Sequence, residues 1–207
     1  MKMQVPYYSQ YKDVEKEEWK ILGKARACTA ACLKMVFEYF KVDNCPTVDE
    51  IFEESLIITQ DMLEKKLITE LTITHGITHD VITLVSHNHG VPSFKEEFKS
   101  VKIDTANKTF SPSKYSQKIF DFGIKEIFNT LKGGGLVLTS VLPGLSNGQS
   151  FHTVLLVGFE EADGKIKGFY YHDPDSIDGT LSNQYLDLKM FDKYWRKQAI
   201  FFPFLGK

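Results

Sequence analysis

The apolar pattern of the chain changes character near residue 133, and this restricts the fold more than any other feature. Upstream, apolar residues fall in helix-length stretches. Downstream they come in short runs, 136–142, 153–159, 169–172 and 199–202, among the turn signals Pro143-Gly144, Asn147-Gly148 and Asp163-Gly164. Runs of that length between such turns read as strands. Helices followed by antiparallel strands predict an α+β fold, with a mostly helical lobe over 1–132 and a mostly β lobe over 133–207 forming one domain. The 207 residues suffice for one buried core.

Within the helical part, residues 28–40 combine dense apolar residues with good helix formers and predict a mostly buried helix of about three turns. Lys34, Glu38 and Lys41 mark one solvated stripe on it. Asn44-Cys45-Pro46 breaks this helix. Thr47-Val-Asp-Glu50 has the form of a capping box and opens a second helix to about residue 57. Thr78 caps a third over roughly 79–87, and a fourth covers about 123–132, stopped by Gly133-Gly134-Gly135. The first ten residues read as extended, since Pro6 keeps Val5 out of the helical region. Residues 11–26, rich in Lys and Glu, read as an exposed loop or insertion, and 91–118 as a polar irregular excursion.

Charge and cysteine usage remove several function classes. Lys plus Arg is 25 against Asp plus Glu 27, so no basic excess drives binding to nucleic acid or an anionic membrane. No apolar run spans a bilayer, and the N-terminus lacks the apolar core of a signal peptide. Three cysteines, Cys28, Cys32 and Cys45, do not make a disulfide framework and fit a reduced, cytoplasmic setting.

Of the three, Cys28 stands where a helix begins, and the partial positive charge of a helix N-terminus favours the nucleophilic thiolate. Cys32, among Leu33, Met35 and Val36, reads as packing, and Cys45 has no evident partner. A nucleophilic Cys needs a base and a group to orient it. His152 opens the run 153–159, and the next strand ends in His172-Asp173-Pro174-Asp175. A tight turn at Asp163-Gly164 sets position 152 against 175, and a one-residue change of register still leaves 173–175 beside it. Hairpin geometry therefore brings a carboxylate to His152, the arrangement that holds an imidazole in one tautomer. Asp173 is preferred because it ends the strand directly; Asp175 is the alternative.

These segments resemble a known family in order. Residues 27–36, Ala-Cys-Thr-Ala-Ala-Cys-Leu-Lys-Met-Val, are similar to the Cys-Gly-Pro-Ala-x-Leu-x-Met-Val helix of papain-like cysteine peptidases. The branch they resemble is the bacteriocin-processing, double-glycine-leader peptidases and their stand-alone relatives. Val5-Pro6-Tyr7-Tyr8-Ser9-Gln10 resembles that family's opening, His152 to Phe159 its His-x-Val-x-x-x-Gly-Tyr strand, Asp173-Pro174 its Asp-Pro element, and Phe191-Asp-Lys-Tyr-Trp195 its closing helix. The resemblance implies a papain-like fold and a peptide or amide substrate, with no cofactor and no metal. It implies Cys28 as nucleophile, His152 as base, Asp173 as its orienter and Gln10 as an oxyanion donor. Two positions depart from the pattern: Thr29 stands where the family usually has Gly, and Gln10 lies 18 residues before Cys28.

Other motifs compete with this one. Gly144-Leu145-Ser146-Asn147-Gly148 matches the nucleophile elbow of α/β-hydrolases, but a strand follows it where that elbow needs a helix. His75 and His79 have i, i+4 spacing with His87 and His89 nearby, yet no Glu lies between the first pair, so the zinc-protease motif is absent. Gly133-Gly134-Gly135 follows a helix and reads as its stop, not as a phosphate loop. A papain-like cleft that binds a peptide or leader without cutting it, and acyl transfer to an amine by the same Cys28, are the alternatives to hydrolysis.

Overall fold

The computed structural model describes residues 1–17, 27–69, 77–145 and 152–206. The helices begin with α1 (Cys28–Tyr39), whose residues from Cys28 to Phe37 are all buried. Lys34 therefore does not belong to a solvated stripe. It is 9 % exposed, its ammonium bonds Glu38 at 2.6 Å and lies 5.3 Å from the centre of the Tyr8 ring. Helix α2 (Val48–Glu64) starts at the Thr47–Glu50 capping box, with both reciprocal hydrogen bonds formed, and runs on past residue 57. Helix α3 (His79–Asn88) is capped by the Thr78 hydroxyl, which accepts from the Val81 amide.

The stretch 91–118 is not an irregular excursion. It holds β1 (Phe94–Glu97), then β2 (Val101–Asp104) and β3 (Thr109–Pro112) paired as an antiparallel hairpin. Period-2 apolarity is weak here because every residue of these three strands is exposed. Helix α4 (Ser116–Lys132) begins well before Gly123. That glycine is a site of close approach: a Cβ there would lie 2.7 Å from Phe98 Cγ and 2.8 Å from Trp195 Cη2. The chain continues through β4 (Leu136–Val141), β5 (His152–Ala162), β6 (Lys165–His172), β7 (Gln184–Asp187), α5 (Leu188–Tyr194) and β8 (Trp195–Phe202).

One antiparallel sheet has the order β1-β8-β4-β5-β6-β7. Helix α1 packs on β5, α3 on β1, α4 on β4, β5 and β8, and α5 on β6 and β7. Trp195 is 2 % exposed and stacks on Phe191 of α5 while touching Phe98 and Phe120, so it ties two helices to the start of β8. Burying a ring of this size contributes roughly 1.5–3 kcal/mol. Where β5 continues past its last pair with β4, the N-terminal segment becomes its neighbour. The Met3 amide bonds the Val157 carbonyl at 2.9 Å, and the Phe159 amide bonds the Met1 carbonyl at 2.8 Å. Gly158 permits this, since a Cβ there would meet the Met1 oxygen at 2.5 Å. Among the described residues, no helix is long and apolar enough to cross a membrane.

The β5–β6 hairpin sets the register on which the site depends. Ala162 faces Lys165 across the Asp163-Gly164 turn, and Leu155 faces His172, both as a two-residue turn requires. Irregularities between Leu156 and Gly158 and between Glu160 and Glu161 bracket a one-residue slip that is undone before the site end of the hairpin.

Candidate active site

Cys28 is the first residue of α1, and Ala27 before it supplies no side-chain cap. The first amides of the helix have no acceptor within it, so the helix presents its positive end there. Cys28 is 7 % exposed. Cys32, one turn on, is fully buried against the Thr153 carbonyl, 3.8 Å from its sulfur. The i, i+4 spacing thus sets both thiols on the face of α1 that packs on β5, with only the first at the helix end. Cys45 is half-buried, with its sulfur 3.3 Å from the Lys34 ammonium.

His152 is the first residue of β5, opposite Val141 of β4, and is 8 % exposed. Asp173 follows the last residue of β6 and is 2 % exposed. Its Oδ1 lies 2.5 Å from His152 Nε2 and accepts the Asp175 amide at 2.9 Å. The Asp173 carbonyl accepts the Tyr7 hydroxyl at 2.7 Å, and its amide bonds the Leu181 carbonyl at 3.0 Å. The carboxylate is therefore held from both ends of its own residue. With Nε2 on Asp173, Nδ1 is the ring nitrogen left for Cys28.

Electrostatics couple the two. Burial, the largest effect on Cys28, raises its thiol, but the hydrogen bond and charge of His152, the Thr29 hydroxyl and the Thr153 backbone act against it. The net pKa falls below the usual thiol value. Burial likewise lowers His152, but the Asp173 hydrogen bond and then Cys28 outweigh it and raise its pKa to about 10. A thiolate–imidazolium pair is the state this balance favours. Cys32 has no such partner; burial and the neighbouring Cys28 and Asp173 charges push its pKa well above the usual value.

Gln10 is 4 % exposed, and its amide bonds the Pro174 carbonyl at 3.0 Å. Its Nε2 donates to Asp175 Oδ1 at 2.9 Å. The neighbouring Tyr11 hydroxyl donates to the same oxygen at 2.5 Å, and the Ser9 hydroxyl bonds the Ser176 carbonyl. Segment 9–11 is thus fastened along segment 174–176, which brings Gln10 to the turn that carries Asp173. The chain after it is not wholly an exposed insertion. Val14 is 2 % exposed, and the Glu15 amide bonds Asp49 Oδ2 at 2.8 Å at the start of α2; residues 18–26 lie outside the described ones.

Four sequence-singled residues, Cys28, His152, Asp173 and Gln10, therefore meet where α1, β5, β6 and the N-terminal segment converge. Asp175, held open as a partner for His152, pairs instead with Gln10 and Tyr11. Tyr11 was not singled out; its hydroxyl is recognisable only once segments 10–11 and 173–175 are known to adjoin. Thr29 turns its hydroxyl to 3.9 Å from Cys28 Sγ and 3.5 Å from Thr153 Oγ1. His172, beside Asp173 in sequence, is no rival base. It is fully buried, with Nε2 on the Val5 carbonyl at 3.0 Å and Nδ1 accepting the Asn183 amide at 2.9 Å.

The remaining histidines go to separate partners: His79 to the Ser140 hydroxyl at 2.9 Å, His87 to the Ser93 carbonyl at 2.9 Å and His89 to Glu54 at 2.7 Å. Burial first, then the Arg196 and Lys95 charges, push His79 down to about 4. Among the described residues, no three His, Cys, Asp or Glu side chains cluster as metal ligands. His75 and Ser146 to Gly148 fall outside the described residues.

A family model described as the Peptidase_C39 like family matches residues 2–199. Among curated proteins no relative matches. The fold is similar to that of the double glycine motif protease from an AMS/PCAT transporter, solved in complex with the leader peptide. That chain is 14 % identical, with 98 % of this chain and 94 % of that one covered and a TM-score of 0.50. It is also similar to a protein described as a C39-like peptidase from Bacillus anthracis, 14 % identical, with 99 % and 96 % covered and a TM-score of 0.57.

Proposed function

The chain belongs to the peptidase C39-like family, with a papain-like fold, and on that premise we propose that it is a cysteine peptidase or amide hydrolase using Cys28, His152, Asp173 and Gln10. The observation that carries this reading is the His152 ring, held by buried Asp173 at Nε2, with Nδ1 left for the Cys28 thiol at the start of α1.

In the proposed reaction the Cys28 thiolate attacks a peptide carbonyl carbon, forming the C–S bond as the carbonyl electrons move to oxygen. The Cys28 amide and the Gln10 carboxamide donate to that oxyanion. As the tetrahedral species collapses, His152 Nδ1 gives its proton to the leaving amine and the C–N bond breaks, leaving a thioester. Water then attacks the thioester and gives its proton to Nδ1. Collapse releases the carboxylic acid and restores the thiolate beside the imidazolium. Thr29 fits this reading: its side chain packs between Cys28 and Thr153.

The substrate class is a peptide, in keeping with the leader peptide bound by the double glycine motif protease. The test uses a fluorogenic peptide amide ending in Gly-Gly. Wild type should release the fluorophore and Cys28→Ala should not. Gln10→Ala should slow release by roughly 100-fold or more while the protein keeps its native near-ultraviolet circular dichroism. Tight binding of the peptide with no turnover by wild type would replace this reading with that of a peptide-binding module.

A further inference from the structure

The turn Asp173–Pro174–Asp175 holds more than His152. Asp173 Oδ1 takes the histidine ring and the Asp175 amide. The Pro174 carbonyl takes the backbone of Gln10. Asp175 Oδ1 takes the Gln10 side-chain nitrogen at 2.9 Å and the Tyr11 hydroxyl at 2.5 Å. Proton orienter and oxyanion donor are thus fastened to one three-residue turn.

A carboxamide has two faces that look alike in shape and differ in chemistry, one oxygen that accepts and one nitrogen that donates. An oxyanion donor works in only one of the two orientations. A neutral neighbour that both donates and accepts tolerates either. An ionised carboxylate accepts only, so it selects the orientation with nitrogen toward it, through a charge-assisted bond. The flipped carboxamide would set its oxygen against the carboxylate. Tyr11 adds to this selection, because its single proton already lies on Asp175 Oδ1.

We propose that Asp175 is a positioning residue for the reaction, its carboxylate locking the Gln10 carboxamide in the donor orientation that an oxyanion at Cys28 requires. This rests on the peptidase reading above, with Gln10 as oxyanion donor. The two neighbouring carboxylates then have different roles. Asp173 acts on the proton through His152, and Asp175 acts on the oxyanion through Gln10.

Two chemistries at the same sulfur distinguish these roles. Acylation by N-benzyloxycarbonylglycine p-nitrophenyl ester passes through an oxyanion; alkylation by iodoacetamide displaces iodide and forms none. Both are measured from pH 5 to 9 in a Cys45→Ser background. Asp175→Ala should slow acylation at least tenfold and leave the rate and pH midpoint of alkylation within twofold and about 0.3 unit. In a Gln10→Ala background the same change should slow acylation by less than twofold further, because its effect runs through Gln10. Asp175→Asn keeps the shape but adds a donor that admits the flipped carboxamide, and it should slow acylation at least threefold; it decides the matter if the alanine variant does not fold. The proposal is overturned if both Asp175 variants acylate like wild type, if acylation and alkylation fall together, or if the effects of Gln10→Ala and Asp175→Ala multiply. A wild-type chain acylated no faster than Cys28→Ala would overturn the peptidase reading itself, a separate result.

Discussion

Replacing His152 by Ala tests the coupling at the centre of the site. Burial alone raises the Cys28 thiol, and His152 supplies the two largest effects in the other direction. Without the ring, the thiol stays buried with its main compensation gone, and its pKa moves above the usual value. A thiol of pKa 9 is about 1 % ionised at pH 7, and each further unit removes another factor of ten. In wild type the thiol ionises at lower pH than an ordinary thiol, beside a His152 ring that keeps its proton to about pH 10. The alkylation rate at pH 7 should therefore fall by about tenfold, or roughly 1.4 kcal/mol, for each pH unit by which the ring holds the thiol down. Iodoacetamide kinetics in a Cys45→Ser background read this directly, since Cys32 is fully buried and its thiol is pushed up. The wild-type rate should level off at a lower pH than an ordinary thiol's. The variant should show a rate that climbs about tenfold per pH unit toward 9. A variant with unchanged near-ultraviolet circular dichroism that still alkylates within threefold of wild type at pH 7 would refute the ion-pair reasoning.

Stability should follow the same pair. The raised pKa of His152 contributes stability that is complete below about 6.5 and lost as pH rises through about 10, while the lowered Cys28 pKa contributes stability present above the unfolded thiol value and lost as pH falls through the folded one. Above about pH 8.5 the unfolded chain has lost both protons while the folded chain keeps the one on His152, so the urea midpoint should fall from there toward pH 10. Asp173→Asn should shrink that fall, because it removes the Asp173 hydrogen bond and charge that raise His152 and leaves only those of Cys28 against burial; a fall of the same size in the variant would count against the assignment of the raised pKa to Asp173. Gly158→Ala should lower stability by roughly 1–3 kcal/mol in thermal melts, since the new Cβ meets the Met1 oxygen at 2.5 Å. Removing the first two residues should cancel most of that penalty, and an equal penalty in both backgrounds would rule out the clash. Cys32→Ala, at a packed site 3.8 Å from the Thr153 carbonyl, should cost about 1–2 kcal/mol in urea titrations and leave Cys28 alkylation within twofold.

The parts of the site that were legible in the sequence are local ones. A helix start is written in composition, so Cys28 could be separated from Cys32 before any contact was known. A two-residue turn fixes a register, so the Asp163-Gly164 turn alone put a carboxylate beside His152. Two expectations failed for a shared reason. Gly123 looked like a helix boundary and is a contact with Phe98 and Trp195. Lys34 looked solvated and is covered by Tyr8 and Glu38. In both, a residue distant in sequence decides the local environment. The strands in 91–118 escaped because exposed edge and hairpin residues carry no buried period for a pattern to follow.

The sequence by itself determined the class of fold, most of the helix starts, the turn of the β5–β6 hairpin and the family the segments resemble, because periodicity, caps and tight turns act over a few residues. It left Asp173 and Asp175 open as partners of His152. Only the tertiary structure divided them, setting Asp173 on His152 and Asp175 on Gln10 and Tyr11. The physical reason is distance along the chain. The N-terminal segment reaches the 173–175 turn by folding back across more than 160 residues, and nothing local to Asp175 encodes that Gln10 will be there to meet it.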